Sequence, residues 1–144
     1  VISLWQDEYL DTAVLPSCVW SSEWDVTDGS LNIWVHQRSC DVPLGLPFNV
    51  TQYAVLLKMI AQVTGLKAGK IDWSIKDAHI YVNQIEGIKE QLNRYHNNPD
   101  IPAPEFWLNP EIKDFYEFDH SKECKDCKLI DYKHMGKIKF PLAQ

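Results

Sequence analysis

Cys18 is the first cysteine of this sequence and a candidate nucleophile. It follows Leu15-Pro16-Ser17 and directly precedes an alternating apolar segment. A cysteine attacks as its thiolate, which a nearby cation stabilises, and Arg38 is the candidate cation. A cysteine at such a position is more often a small buried apolar residue. The local pattern therefore leaves a catalytic and a structural interpretation open.

Arg38 and Ser39 together have the chemistry of a phosphate clamp. A guanidinium offers forked donors and a serine hydroxyl offers a short one. The alternative is an arginine that pairs with a surface acid. Further along, Asn49 carries a donor and an acceptor, so it matches a pyrimidine edge that carries both. Its alternative role is to cap the helix that follows.

Asp77, His79 and Tyr81 alternate along one predicted strand face. Their side chains offer hydrogen bonds that suit a sugar hydroxyl. Residues of these types at the end of a strand also commonly have structural roles. The pattern favours neither interpretation by itself.

Cys124 and Cys127 form a single CxxC motif. Zinc would need two further ligands, and His120 or His134 would have to supply them through the fold. A thiol-redox or zinc protein therefore remains one hypothesis for the chain, beside a nucleotide-binding enzyme.

A hairpin is predicted to position Cys18 and Arg38. Residues 20–26 and 31–37 alternate, and Asp28-Gly29 between them tolerates the positive φ angles of a two-residue turn. The second strand returns towards the start of the first, which brings Arg38 near Cys18. The residues expected to share one face of each strand are Trp20, Trp24 and Val26 on the first, and Leu31, Ile33 and Val35 on the second.

The strongest helical pattern follows an irregular Pro/Gly segment at residues 43–47. Apolar residues recur at i, i+3, i+4, i+7 and i+8 and also occupy the other faces, which predicts a buried core helix. Asn49 or Thr51 is the expected cap and Gly65 the expected end. The apolar residues are Tyr53, Val55, Leu56, Leu57, Met59, Ile60, Ala61 and Val63.

The rest of the chain predicts a strand, a second helix and a region of short elements. Residues 71–82 are rich in β-branched and aromatic residues and favour a strand. The second helix is expected from Asn83, its candidate cap, to Tyr95, and a loop is expected over residues 97–104. Its predicted apolar stripe consists of Ile85, Ile88, Leu92 and Tyr95, whereas Glu86, Lys89, Glu90 and Arg94 are expected to face water.

Composition excludes some classes of protein. The chain has 144 residues and a net charge of -6, which suits one globular domain and disfavours a nucleic-acid-coating surface. No apolar run approaches the roughly 20 residues that cross a membrane, and the first residues lack a signal-peptide pattern. We therefore expect a cytoplasmic protein whose four cysteines are reduced thiols and which binds no metal.

The motifs, taken in order, resemble the thymidylate synthase family. The matching segments are residues 15–18 (LPSC), 37–49 (QRSCDVPLGLPFN), 77–83 (DAHIYVN) and 139–144 (KFPLAQ). They extend over essentially the whole chain, and the long central segment is highly specific. The resemblance implies an α+β layered fold, with a large twisted mixed sheet flanked by helices. It also implies that residues 1–144 are the carboxy-terminal part of one catalytic domain.

The resemblance implies a role for each matching residue. Cys18 would be the nucleophile that adds to C6 of dUMP, and 5,10-methylenetetrahydrofolate would donate the carbon and the hydride. The dUMP-binding residues would be Gln37, Arg38, Ser39, Cys40, Asp41, Asn49, His79, Ile80 and Tyr81. The folate-binding residues would be Asp41, Leu44, Gly45, Phe48 and Ala143.

Three features of the resemblance bear on how complete the site is. Val19 stands where many members have a histidine, and Gln144 replaces a commoner apolar end. The family's upstream half supplies a general-base glutamate and another phosphate-binding arginine. We therefore expect a homodimer, completed by a separate amino-terminal chain or by the rest of a longer protein. The alternatives are a hydroxymethylase of dCMP or dUMP and an inactive fragment that keeps a partial nucleotide pocket. Asn49 favours dUMP over dCMP, since dCMP hydroxymethylases carry an acid there.

Overall fold

The structure, a computed structural model, describes residues 1–142. It consists of two compact units, Val1–Ile80 and Tyr81–Gln144. The first unit contains β1 (Ile2–Ser3), α1 (Asp7–Leu10), β2 (Val19–Thr27), β3 (Ser30–Gln37), β4 (Cys40–Asp41), α2 (Leu46–Val63), β5 (Lys67–Ile75) and β6 (Ala78–His79). The second contains α3 (Ile85–Asn97), β7 (Glu105–Leu108) and β8 (Cys127–Ile130), with 3₁₀ turns at Val82–Gln84 and Phe115–Glu117.

A four-stranded mixed sheet with the order β1-β2-β3-β5 organises the first unit. The strands β1, β2 and β3 pair antiparallel, whereas β3 and β5 pair parallel and are connected through α2. A parallel pair needs such a crossover connection. Mixed sheets and helices in one chain confirm the predicted α+β class.

The predicted hairpin is confirmed. The strands β2 and β3 pair from Val19↔Gln37 to Thr27↔Ser30. Asp28 and Gly29 have φ angles of 49° and 73°, as a tight turn between twisted strands requires.

The predicted face of Trp20 is wrong. A β-bulge between Val19 and Ser21 shifts the register of β2, and an extra residue reverses the alternation on one side of a bulge. Trp24 therefore packs against the core, whereas Trp20 stacks against His36 on the opposite face, with ring centroids 5.6 Å apart. The β3 face predicted from alternation is confirmed: Leu31, Ile33 and Val35 are at most 6% exposed.

The helix α2 begins earlier than predicted. It starts at Leu46 after Gly45, with Pro47 in its first turn, where a proline costs no hydrogen bond. Asn49 therefore lies inside the helix, and neither Asn49 nor Thr51 caps it. Gly65 follows the end of the helix with a φ of 69°, as predicted.

Only one stripe of α2 is fully buried. Tyr53, Leu57 and Ala61 pack with the core face of the sheet, and the remaining apolar residues of 54–63 are half-buried. The helix is thus a core helix on one side and, within the described residues, is incompletely covered on the others.

The strand predicted over residues 71–82 is shorter and is interrupted. The strand β5 ends at Ile75, and the chain then pairs again as β6 beside β4, in a separate two-stranded parallel sheet. Lys76 N bonds Gln37 O at 3.0 Å and Cys40 N bonds Asp77 O at 2.8 Å. The backbone partner therefore changes at this point, which ends the first sheet.

The second unit begins one 3₁₀ turn before α3. Tyr81 precedes that turn and Gln84 precedes α3, so Asn83 is not the cap. The predicted apolar stripe of α3 is largely uncovered, since Ile85, Leu92 and Tyr95 are 41, 52 and 66% exposed. Arg94, predicted to face water, is half-buried.

Arg94 bonds Glu90 and the carbonyls of Met135 and Gly136 at 2.7 to 3.0 Å. These contacts hold Arg94 near the end of the chain, whereas Glu86, Lys89 and Glu90 are exposed, as predicted. The loop and the short strands predicted after this helix are confirmed. Among the described residues, no helix is both long enough and apolar enough to traverse a bilayer.

The prediction that all four cysteines are reduced is wrong for two of them. Cys124 and Cys127 form a disulfide, whereas Cys18 and Cys40 are free. Two turns close around this pair, because Cys124 N bonds Ser121 O and Cys127 N bonds Cys124 O. Their Cα atoms come within 5.8 Å, a separation that a disulfide spans.

Candidate active site

Cys18 and Arg38 are adjacent across the open end of the hairpin. The Arg38 N–H donates to the Cys18 carbonyl at 2.8 Å. The guanidinium turns towards the segment that precedes Cys18, and its Nη2 donates to the Pro16 carbonyl at 2.6 Å. Arg38 Nε is buried, and no group among the described residues accepts a hydrogen bond from it. This donor is therefore a buried polar group with an unmet hydrogen bond.

The free thiol of Cys18 is partly accessible, whereas the neighbouring thiol is not. Cys18 is half-buried, and Cys40 is 2% exposed. Burial raises the pKa of Cys40, and negative charge on Asp41 or Cys18 raises it further, against a hydrogen bond from Gln37 that lowers it. Cys40 is therefore held as a neutral thiol, and Cys18 is the thiol of the two that a reactant can reach.

Ser39, Asp77 and His79 form a polar cluster beside the hairpin. The Ser39 hydroxyl donates to Asp77 Oδ2 at 3.4 Å, and His79 Nδ1 lies 3.2 Å from the same oxygen. The parallel pairing of β4 with β6 brings the cluster together, with Cys40 opposite Ala78 and Asp41 opposite His79. The sequence predicted that Asp77 and His79 share a strand face, but it did not predict the hydrogen bond between Asp77 and Ser39.

A hydrogen bond from Gln37 orients the side chain of Asn49. Gln37 is 3% exposed, and its Nε2 donates to Ser39 O at 2.9 Å and to Asn49 Oδ1 at 3.3 Å. The indole N–H of Trp73 donates to Gln37 Oε1 at 2.9 Å. These bonds fix both amides, so that Asn49 has its carbonyl towards Gln37 and its NH₂ group directed elsewhere.

Trp73 is a residue that the sequence interpretation missed. The available signal was chemical: a strand tryptophan that packs into a core needs an acceptor for its N–H. Its partner depends on the parallel register of β3 and β5, which places Trp73 opposite Val35 and two residues from Gln37. The sequence contained no indication of that register.

The segment predicted to bind folate forms the entry to α2. Gly45 N bonds the Asp41 carbonyl at 2.6 Å, and Leu44 N bonds Asp41 Oδ1 at 3.4 Å. A Cβ on Gly45 would lie 3.0 Å from the Asp41 carbonyl, so glycine allows this tight turn. Phe48 is 76% exposed and offers an aromatic face to a ligand.

The three remaining predicted site residues lie at the boundary of the two units or outside the described residues. Ile80 ends the first unit and is 45% exposed. Tyr81 begins the second unit, where its backbone N–H donates to Gln84 Oε1 at 3.1 Å. Ala143, like Gln144, lies outside the described residues. Within the described residues, no group of three His, Cys, Asp or Glu side chains has the arrangement of a metal site.

The thymidylate synthase family model matches residues 1–144, the whole chain. The chain belongs to the thymidylate synthase family. A thymidylate synthase from Clostridium beijerinckii is 50% identical over 143 residues, which cover 99% of this chain and 52% of that protein. Thymidylate synthase 1 from Bacillus subtilis and a thymidylate synthase from Bacillus phage phi3T are each 44% identical, over 99% of this chain and 48% of theirs.

The likeness to thymidylate synthases extends to the fold. The solved structure of the thermostable thymidylate synthase A from Bacillus subtilis matches with a TM-score of 0.88 at 44% identity. The match covers 98% of this chain and 48% of that one. The expected family and its layered α+β fold are thus confirmed. The chain spans about half the length of the thymidylate synthases that it matches.

Proposed function

We propose that this chain carries the nucleophile and most of the dUMP site of a thymidylate synthase, which converts dUMP to dTMP. The observation that carries the proposal is the junction of β3 with β4. There the backbone N–H of Arg38 donates to the Cys18 carbonyl, while the amide of the adjacent Gln37 donates to Asn49 Oδ1. This junction therefore links a nucleophile that precedes β2, an anion-binding cation that follows β3 and a base-reading amide on α2. We further propose that residues 1–144 are the carboxy-terminal part of a single catalytic domain.

Arg38 and Ser39 bind the phosphate in this proposal. Arg38 supplies the positive charge and the forked N–H donors with which a guanidinium binds phosphate. The Ser39 hydroxyl, now weakly bonded to Asp77 at 3.4 Å, is available to rotate towards a stronger acceptor.

Asn49 selects uracil in this proposal. Its carbonyl accepts from Gln37, and its NH₂ group is the donor that O4 of uracil needs. Cytosine presents a donor at the same place, so two donors would oppose each other and the base would bind less well. The predicted hydrogen bonds of His79 and Tyr81 to the deoxyribose hydroxyl, and the contacts of Ile80 and of the Cys40–Asp41 backbone with the nucleotide, belong to the same proposal.

Residues 41–48 are suited to a reduced folate. Asp41 supplies a half-buried carboxylate that can accept from the N–H groups of a pterin, and Leu44, Gly45 and the exposed ring of Phe48 supply apolar surface. Ala143 is the further contact that the family resemblance implies. 5,10-Methylenetetrahydrofolate supplies the one-carbon unit and the hydride when it is bound.

Cys18 provides covalent catalysis. Its thiolate adds to C6 of the uracil, the C5–C6 π electrons move towards C4 and O4, and C5 becomes a carbon nucleophile. Later expulsion of the sulfur restores the double bond and the free thiolate. Arg38 and the cluster around Asn49 keep the ring and the sulfur in the geometry that addition requires.

We propose two further partners. The outer face of the β1-β2-β3-β5 sheet bears Trp20 and Trp34, which are 37 and 48% exposed, and such an aromatic face suits the expected homodimer. A separate amino-terminal chain, or a further part of a longer chain, is proposed to supply the general base. The cytoplasmic location remains a prediction.

Trapping with 5-fluoro-dUMP and 5,10-methylenetetrahydrofolate tests this function. Fluorine at C5 does not leave as a proton does, so a working site retains a covalent complex on Cys18 that intact mass spectrometry detects. We expect the adduct when a purified amino-terminal half of a family relative is added. Cys18→Ser abolishes it, whereas the double variant Cys124→Ser/Cys127→Ser, which also removes thiols, retains it.

Each outcome distinguishes one alternative. An adduct without the added half would overturn the requirement for a complementing chain. No adduct in either mixture would make the chain an inactive fragment with a partial pocket. Turnover of dCMP in place of dUMP would favour a hydroxymethylase and contradict the proposed role of Asn49.

A further inference from the structure

The Cys124–Cys127 pair has chemistry that the proposed function does not use. The two residues are joined in a disulfide at the start of β8. Both residues are half-buried, so the pair is partly exposed to solvent. Exposure of this kind distinguishes the pair from Cys40, which is 2% exposed.

The backbone brings these two cysteines together independently of the sulfur bond. Cys124 N donates to Ser121 O at 3.2 Å, and Cys127 N donates to Cys124 O at 3.3 Å. Thiols held on adjoining turns have a high effective concentration for each other, so they reoxidise intramolecularly. A ring with only two residues between the cysteines also removes less unfolded-chain entropy than a long one. A purely stabilising role therefore explains the pair poorly.

The two residues inside the ring connect it to a network of hydrogen bonds. Lys125 N donates to Asp119 Oδ2 at 3.0 Å. The Asp126 carboxylate accepts from Asp119 N at 2.9 Å and from Asn109 Nδ2 at 2.8 Å. Ser121 donates to Asp119 through both its N–H and its hydroxyl, at 2.8 and 2.9 Å. The conformation of the ring therefore determines how residues 119–127 are held.

The pKa of Asp119 depends on these hydrogen bonds. The N–H of Lys125, followed by the hydroxyl and the N–H of Ser121, lowers the pKa of its carboxyl to about 2. The first of these donors belongs to a residue enclosed by the disulfide. Loss of the ring frees Lys125 to move away, so the pKa of Asp119 should rise towards its usual value on reduction.

We propose that Cys124 and Cys127 are a reversible redox site which exchanges with low-molecular-weight thiols, and that its oxidised form orders residues 119–127. An external thiolate attacks one sulfur, forms a mixed disulfide and releases the other cysteine as a thiolate. A second external thiolate then attacks the small-molecule sulfur of the mixed disulfide and releases the remaining cysteine thiolate. The products are a small-molecule disulfide and two cysteine thiolates, which take up protons, so two electrons pass to the protein from two thiols.

Equilibration of the intact chain in buffers of reduced and oxidised glutathione tests the redox site. Acid quenching, alkylation with N-ethylmaleimide and peptide mass mapping report the state of each cysteine. We expect the pair to pass reversibly between an intramolecular disulfide and two alkylated thiols within the range of these buffers. A pair that stays oxidised throughout is structural, and one that stays reduced or accumulates only mixed disulfide is not a redox couple. Either result would overturn the proposal.

Zinc provides the competing explanation and its own readout. The reduced protein is incubated with equimolar zinc and passed through a desalting column before reoxidation. We expect no retained zinc and unchanged reoxidation. One equivalent of retained zinc that protects both thiols would assign a metal site in place of the redox site.

Hydrogen exchange of the wild-type protein in both redox states tests the ordering of residues 119–127. We expect faster exchange of the Lys125 amide by at least about fivefold after reduction, with no change in α3. Asp119→Asn tests the same coupling from the other side, because coupling is reciprocal. It should shift the thiol–disulfide equilibrium towards the dithiol about threefold or more. Equal exchange in both states, or an unshifted equilibrium, would overturn the coupling.

Discussion

The two faces of the β2–β3 hairpin have the same backbone and opposite surroundings. On the core face Ile33 and Val35 are 1 and 0% exposed and pack with α2. On the outer face Trp34 is 48% exposed, and it forms an aromatic row with His36 and Trp20. The core face continues into Gln37 and the candidate site, whereas the outer face is uncovered among the described residues.

The two faces of the hairpin therefore have different roles. The core face is completed by this chain's own helix, so it sets stability and the position of Asn49. The outer face has the aromatic character that is common in surfaces covered by a partner. Substitutions matched across the two faces separate these roles.

Ile33→Ala should have the largest effect on stability. The substitution removes a fully buried side chain and leaves a cavity, so we expect a loss of about 2–5 kcal/mol in the free energy of unfolding. Urea denaturation followed by circular dichroism measures it. Trp34→Ala, at the next residue but on the outer face, is the control and should cost clearly less. Equal losses in dilute monomer would contradict the division of the faces.

Trp73→Phe should have the next largest effect. Phenylalanine keeps most of the ring but leaves Gln37 Oε1 buried without the indole donor, at a cost of about 1–3 kcal/mol. The amide of Gln37 is then free to turn over, so binding of dUMP should weaken and its preference over dCMP should narrow, as measured by calorimetry with the complemented chain.

Trp34→Phe is the matched control for Trp73→Phe. It also removes an indole N–H, which donates to Ser74 Oγ at 2.8 Å, but this one lies on the outer face where water can replace it. We expect a change within about 0.5 kcal/mol. A loss as large as that of Trp73→Phe would mean that the outer face is as closed as the core.

Gly29→Ala tests the turn that keeps the two faces in register. Gly29 has a φ of 73°, and a Cβ there would meet no described atom within 4 Å. The expected cost of about 1–2 kcal/mol therefore comes from the left-handed backbone alone. Gly65→Ala, with a φ of 69° and equally open space, should cost as much in urea denaturation. Only Gly29→Ala should speed amide exchange at the Thr27–Ser30 pair, and the same change in both variants would refute this.

Glu23→Gln should have the smallest effect. Glu23 Oε1 lies 2.9 Å from His36 Nε2 on the outer face, and exposed pairs of this kind contribute about 0–1 kcal/mol. A double-mutant cycle with His36→Gln measures the coupling. A coupling well above that range would show that the pair is shielded from water.

Local chemistry was sufficient to predict the hairpin and the proximity of Arg38 to Cys18. Both follow from the Asp28-Gly29 turn, because a two-residue turn fixes which residues face each other. The bulge at Trp20 was not predictable, since an alternating segment looks the same with or without an extra residue on one strand. The start of α2 was misplaced because Asn49 looked like a cap, whereas its side chain is held by Gln37.

Other features depended on contacts between residues distant in the sequence. Trp73 reaches Gln37 only through the parallel register of β3 and β5. The partial burial of Arg94 depends on its contacts with the carbonyls of Met135 and Gly136, which helical periodicity does not predict. The Cys124–Cys127 bond depends on two consecutive tight turns, which the sequence did not indicate, so the prediction of reduced thiols was wrong there.

The central position of β3 has a consequence for the order of folding. Its pairing with β2 closes a two-residue turn, whereas its pairing with β5 must wait until the whole of α2 has brought Ser30 and Lys67 together. Loop-closure entropy delays the second event relative to the first. We expect Arg38 to meet Cys18 early, and Trp73 to reach Gln37 late. The proposed nucleophile would thus be in place before the contact that fixes the amide of Gln37.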